Sequence, residues 1–162
     1  AIENCDLLIT TGGTADGPRD HVHAALSALS GTLVVDRVKV RPGHPMLLAW
    51  IENHLGIRVP VLGLPGNPQS AIVALLTLGQ PVINALLEKG VEKLQLVPTG
   101  DEITAPPDFT RLVLGNIVDG HFEMGDHLGS AMLRGLAHSA GFAVAESGVT
   151  LVGTHVGWLP LP

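Results

Sequence analysis

Apolar positions in the first ninety residues fall into short runs that alternate with helical stretches. Leu7-Leu8-Ile9-Thr10 is a β run ending in Thr11-Gly12-Gly13, the pattern of a buried strand that feeds a loop. Asp20 precedes a helical pattern with Val22, Ala25, Leu26 and Leu29 on one face and Gly31 as its C-cap. Leu33-Val34-Val35 is a second β run, continued by Val38 and Val40. Pro42-Gly43-His44-Pro45 is a turn, and the apolar stretch Met46 to Trp50 follows it. Val59-Pro60-Val61-Leu62-Gly63-Leu64 reads as a third strand whose start Pro60 makes irregular. Pro68 suits the first turn of a helix that runs from about Gln69 to Leu87 unless Pro81 kinks or breaks it.

This alternation predicts an α/β fold over residues 1–90, a partial three-layer sheet with helical cover. The rhythm changes near Gly90. Short β runs then recur at Leu94–Val97, Thr110–Leu114, Phe142–Ala145 and Val156–Leu161, and only Ser130–His138 looks helical. Turns at Pro98-Thr99-Gly100, Ala105-Pro106-Pro107 and Asp119-Gly120 separate them, with Gly100-Asp101-Glu102 expected to be solvated. A small, mainly β domain is therefore predicted over residues 91–162.

Composition narrows the function classes. Hydrophobic residues make up 46% of the 162 and charged residues 15%, ample for a packed core. Aromatics are 3% with no Tyr, which argues against base-stacking platforms for single-stranded nucleic acid. A net charge of -6 gives no support to nonspecific nucleic-acid binding. Cys5 is the only cysteine, which excludes an internal disulfide, and it reads as a small core residue before a strand. Pro60, Pro65 and Pro68 interrupt the richest apolar stretch, so no membrane span is expected and a cytoplasmic protein is. The eight histidines have no tight metal-ligand spacing, and His21 and His23 point apart on a helix. The opening Ala1-Ile2-Glu3-Asn4, without an initiator Met, reads as part of something longer.

Three loops can carry chemistry, each following an apolar β run, where ligands of open α/β sheets collect. In Thr10-Thr11-Gly12-Gly13-Thr14 adjacent glycines permit positive φ, so successive N–H groups can converge on an anion. Arg19 adds a cation there, and Asp20 can bind Mg²⁺; a tight turn with Asp20 as helix N-cap is the equally open alternative. Arg41-Pro42-Gly43-His44-Pro45 presents Arg41 and His44 from a proline-stiffened loop, suited to an oxyanion or, equally, a solvated connection. Gly63-Leu64-Pro65-Gly66-Asn67-Pro68-Gln69-Ser70 places backbone N–H groups and the Ser70 hydroxyl at a positive helix end, with Asn67 as N-cap under the bland alternative.

In this order the three loops resemble the molybdopterin molybdenumtransferase family (MoeA and the gephyrin E domain). Phe109-Thr110-Arg111-Leu112-Val113-Leu114 and Gly129-Ser130-Ala131-Met132-Leu133-Arg134 look like signatures of that family's small β domain. The resemblance implies insertion of molybdenum into adenylylated molybdopterin, with molybdate and Mg²⁺. By position it gives Gly12, Gly13 and Asp20 to pterin phosphate and metal, with Thr14, Gly66 and Asn67 in the same loops. It gives molybdate to Arg41, His44, Pro45, Ser70, Arg111 and Ser130, with Asp20, Arg41 and His44 nearest the chemistry. Cations and hydroxyl donors suit such a dianion. It also implies a homodimer, an adenylyltransferase as a further partner, and little activity for 162 residues alone.

The family has Lys where this chain has Arg41 and His44. Gly12-Gly13-Thr14 followed by Pro18-Arg19-Asp20 is closer to the molybdopterin adenylyltransferases, which lack the β domain. That activity is the alternative chemistry. A non-catalytic scaffold offering a sheet edge to a peptide is the contrasting class.

Overall fold

The computed structural model describes residues 2–15, 17–18, 20–126 and 133–162. They form two compact units, one of residues 1–38 and 43–91 and the other of residues 39–42 and 92–162. In chain order the elements up to residue 64 are β1 (Leu8–Thr11), α1 (Val22–Ala28), β2 (Thr32–Asp36), β3 (Val40–Arg41), β4 (Leu47–Glu52) and β5 (Arg58–Leu64). Then come α2 (Pro68–Ala74), a π-helical turn (Leu75–Gly79) and α3 (Gln80–Leu86).

The first unit is a mixed sheet of order β1-β5-β4-β2, in which β1 runs parallel to β5 and the other neighbours are antiparallel. Successive strand residues face opposite sides, and β5 uses both. Val61 joins Leu47, Ala49 and Ile51 in a cluster with Leu26 of α1, against which Leu8 and Val22 also pack. Leu62 faces the other way, and its side chain lies where a Cβ on Gly79 would be. Helices therefore cover both faces, as the three-layer α/β expectation requires. Each buried Leu or Val in these layers contributes roughly 1.5–3 kcal/mol through burial.

Pro81 neither breaks nor ends its helix. The preceding turn opens to π geometry and the helix runs on from Pro68 to Leu86. Widening of this kind accommodates a residue that lacks an N–H and crowds the turn before it. By length and composition this helix is long and apolar enough to cross a membrane, contrary to the expectation from the prolines. Val73, Ala74 and Gly79 are buried within the unit, the behaviour of a helix that covers a sheet.

Three local readings are corrected. The helix after Asp20 begins at Val22 with His21 in the capping position, and its end has Ser30, not Gly31, in the left-handed conformation. Gly31 donates its N–H to Leu26 O at 2.8 Å, the six-residue closure of a Schellman end. The β run from Leu33 does not continue through Val40. Arg37 takes φ 64°, and Val40–Arg41 pair instead with a strand of the second unit.

That unit holds β6 (Gln95–Pro98), β7 (Ile103–Ala105), β8 (Thr110–Val118), β9 (His121–Met124), α4 (Leu133–Ala137), β10 (Gly141–Ala145), β11 (Gly148–Thr150) and β12 (His155–Pro160). Its main sheet has the order β3-β8-β10-β12-β6, with β9 on the free part of β8. Thr99, just past β6, bridges Phe122 of β9, and Gly100 N–H donates to Phe122 O at 2.7 Å. The sheet thus closes on itself around Phe122, Ile103, Val113, Ala143, Val156 and Trp158. The Phe122 and Trp158 rings meet at 6.0 Å, tilted by 50°.

Asp101 is not the solvated turn residue the sequence suggested. Its carboxylate accepts the Met124 N–H at 2.7 Å, while its backbone brackets the buried Thr99 hydroxyl. Asp101→Ala would strand a backbone donor at the closure of the sheet, so a loss of about 1–2 kcal/mol is expected. Urea unfolding of Asp101→Ala beside Asp101→Asn checks this; Asn, which keeps an acceptor, should lose less.

Candidate functional site

On the first unit the two glycine loops meet backbone to backbone. Gly12 and Gly13 take φ 77° and 70°, and Gly12 N–H donates to Leu64 O at 2.8 Å. A Cβ on Gly66 would stand 3.5 Å from the Gly12 Cα. The Gly12 N–H is therefore spent inside the fold, and the glycine's contribution at a site is close backbone approach, not donation. Gly13 O accepts the Val22 N–H at 3.2 Å, which ties the loop to the start of α1. Thr14 is buried, with its methyl against Gly63.

Asp20 does not cap α1. Its carboxylate accepts the Gly17 N–H at 2.6 Å, and its own N–H donates to Gly17 O at 2.9 Å. Arg19 and Ser130 lie outside the described residues. Asn67 is the N-cap of α2, accepting the Ser70 N–H at 3.0 Å. Ser70 is buried behind it, and Gly66 is exposed beside the half-buried Asn67. Two buried polar atoms flank this end of the sheet without a partner, Thr10 Oγ1 and Gln69 Oε1. Nothing in the sequence marks Gln69, because only its burial distinguishes it.

The proline-stiffened loop does not keep its two basic residues in one unit. His44, half-buried beside Pro45, belongs to the first. Its Nδ1 lies 2.6 Å from Val38 O, a carbonyl that can only accept. Nδ1 therefore carries the proton, and Nε2 is a donor only when the ring is charged.

Arg41 belongs to the second unit, on the two-residue strand β3. The parallel register sets Arg41 beside Arg111, so both side chains leave the same face of the sheet. Arg111 donates to Thr104 O at 2.6 Å, and the Arg41 guanidinium lies 5.2 Å from the centre of the Phe109 ring. The ion pairs among the described residues involve His23, Arg37 and His54; none involves Arg41 or Arg111. Among the described residues the partners of these two cations are a carbonyl and a ring, neither of which neutralises a guanidinium.

Among the described residues no three His, Cys, Asp or Glu side chains converge as a metal site. Asp20 is thus a single-carboxylate candidate, an arrangement that Mg²⁺ accepts when substrate phosphate supplies further oxygens.

Residues 1–85 match the family described as "Probable molybdopterin binding domain". The molybdopterin molybdenumtransferase of Nostoc sp. strain PCC 7120 is 34% identical over 162 residues, covering 94% of this chain and 36% of that protein. The Synechococcus elongatus enzyme of the same name is 30% identical over 143 residues, covering 88% of this chain and 34% of its own length. This chain therefore spans about a third of those relatives. A MoeA molybdopterin biosynthesis protein from Pyrococcus horikosii superposes with a TM-score of 0.74 over 99% of this chain and 38% of its own. Its identity is 20%, so that likeness speaks for the fold. The chain belongs to the molybdopterin-binding domain family, whose model matches residues 1–85, and over most of its length it is similar to molybdopterin molybdenumtransferases.

Proposed function

We propose that the full-length protein inserts molybdenum into molybdopterin, with adenylylated molybdopterin and molybdate as its substrates. The observation that carries this reading is the Arg41–Arg111 pair, two arginines at paired positions of β3 and β8 that take part in no ion pair among the described residues. A tetrahedral dianion is the ligand that such a pair fits, since each guanidinium offers forked N–H donors and permanent charge. On the first unit Gly12, Gly13, Thr14, Gly66 and Asn67 are the candidates for the phosphate-bearing part of the pterin substrate, and Ser70, His44 and Pro45 for its reacting end. Gly66 contributes open backbone, and His44 offers Nε2–H when charged. Ser130 is kept as a weaker candidate from the resemblance alone.

Mg²⁺ would be held by Asp20 together with substrate phosphate, and would neutralise charge there. The carboxylate's bond to Gly17 N–H fixes its orientation in advance. A homodimer, an adenylyltransferase partner and a cytoplasmic location belong to the same proposal. The adenylyltransferase-like alternative gives no role to the second unit, where the arginine pair lies.

The test is AMP release from adenylylated molybdopterin by the full-length protein with and without molybdate. Molybdate-dependent release is expected, and its absence would overturn the reading.

A further inference from the structure

We infer that Phe109 is a positioning residue for the oxyanion pair: its ring holds the Arg41 guanidinium in place on the strand that pairs with that of Arg111. The inference rests on the reading of Arg41 and Arg111 as an anion-binding pair. Like charges at neighbouring positions of paired strands repel, and an unrestrained arginine gains rotamer freedom by swinging into water. Each of these two is tied down. Arg111 is tied by Thr104 O, and Arg41 by the Phe109 ring, whose centre is 5.2 Å from Cζ.

The ring is itself fixed. Phe109 N–H donates to Pro106 O at 3.1 Å, Asp108 sits at φ 61°, and Asp108 N–H donates to Ser147 Oγ at 3.0 Å. Thr110 N–H then donates to Lys39 O at 2.9 Å, which locks the start of β8 to the residue before β3. Phe109 lies one residue before β8, the β3–β8 register sets Arg41 beside Arg111, and the ring contact joins Phe109 to Arg41. A carboxylate could restrain Arg41 equally well, but it would cancel the charge that an anion needs. An aromatic face attracts the cation through its quadrupole and leaves the net charge in place. Phe109 therefore orders the site without neutralising it.

The test is equilibrium titration of molybdate into the full-length protein and into Phe109→Leu and Phe109→Trp, with Phe109→Leu repeated on Arg41→Ala. Phe109→Leu should weaken binding about two- to thirtyfold, the range of a cation–π contact. Its unfolding midpoint should remain near that of the parent. Phe109→Trp should bind as well as the parent or better. On Arg41→Ala, the Leu substitution should have no further effect. If Arg41→Ala weakens binding but Phe109→Leu does not, the positioning role is overturned while the arginine pair stands. An equal loss on both backgrounds, or a loss in Phe109→Trp as large as in Phe109→Leu, overturns it as well. If the parent binds no molybdate, or Arg41→Ala binds as the parent does, the pair itself is wrong and the inference falls with it.

Discussion

Gly115→Ala should destabilise the second unit by about 3 kcal/mol or more, beyond the usual range for overpacking a core. A Cβ at this position would lie 2.0 Å from the Glu123 carbonyl oxygen and 2.6 Å from the edge of the Phe122 ring. The oxygen is backbone, held by the β8–β9 pairing in which Gly115 stands opposite Met124, so it cannot rotate away as a side chain could. Phe122 is fully buried against Trp158 and has no space to retreat into. Relief requires β8 and β9 to separate, which would break the closure that Thr99, Gly100 and Asp101 complete. Trp50 and Trp158 are the two tryptophans, one in each unit. Gly115→Ala should therefore shift the transition seen by Trp158 in a Trp50→Phe background. Gly90→Ala, where a Cβ meets nothing within 4 Å, is the control and should leave it in place.

The second large effect concerns ligand, not stability. Arg111→Ala should weaken molybdate binding roughly tenfold to a hundredfold, since one charge-assisted hydrogen bond is worth about 1.5–3 kcal/mol. Arg41→Ala should fall in the same range. Arg41 is exposed at the second of two strand residues, so its loss should cost little folding free energy. Arg111→Lys keeps the charge but not the planar fork, and should recover only part of the affinity. Titration with sulfate under the same conditions separates binding of any dianion from binding that discriminates for molybdate.

Much of the first unit was legible in the sequence because its signals are local. Val59–Leu64 is an unbroken apolar run and folds as the central strand β5; Asn67-Pro68 is a strong helix start and caps as expected. The cap alternative for Asp20 fails because its carboxylate is taken by Gly17, itself a turn residue, and such turns compete with caps for the same side chain. Val40 was misplaced because apolar spacing cannot distinguish a strand that continues from one that leaves for another sheet. The positive φ of Arg37, a residue with no special preference for it, makes that break invisible. Short strands of two to four residues, such as β3, β7, β9 and β11, are too brief for alternation to register.

The arginines of the candidate site were legible by residue type and their arrangement was not. Arg41 and Arg111 are 70 positions apart in sequence, and only the β3–β8 register makes them neighbours. Phe109 stood in a recognised signature, but its contact with Arg41 depends on that same register. The opposite happened at Gly12. Its positive φ follows from the double glycine, yet the donor expected for an anion is spent on Leu64 O.

The proposed oxyanion site stands or falls on Arg41 and Arg111. Calorimetric titration of molybdate into the full-length protein and into the Arg41→Ala/Arg111→Ala double variant tests it most directly. Saturable binding by the parent, with loss of at least a hundredfold in a double variant that melts normally, is the predicted result. Equal affinity in the two proteins would contradict it.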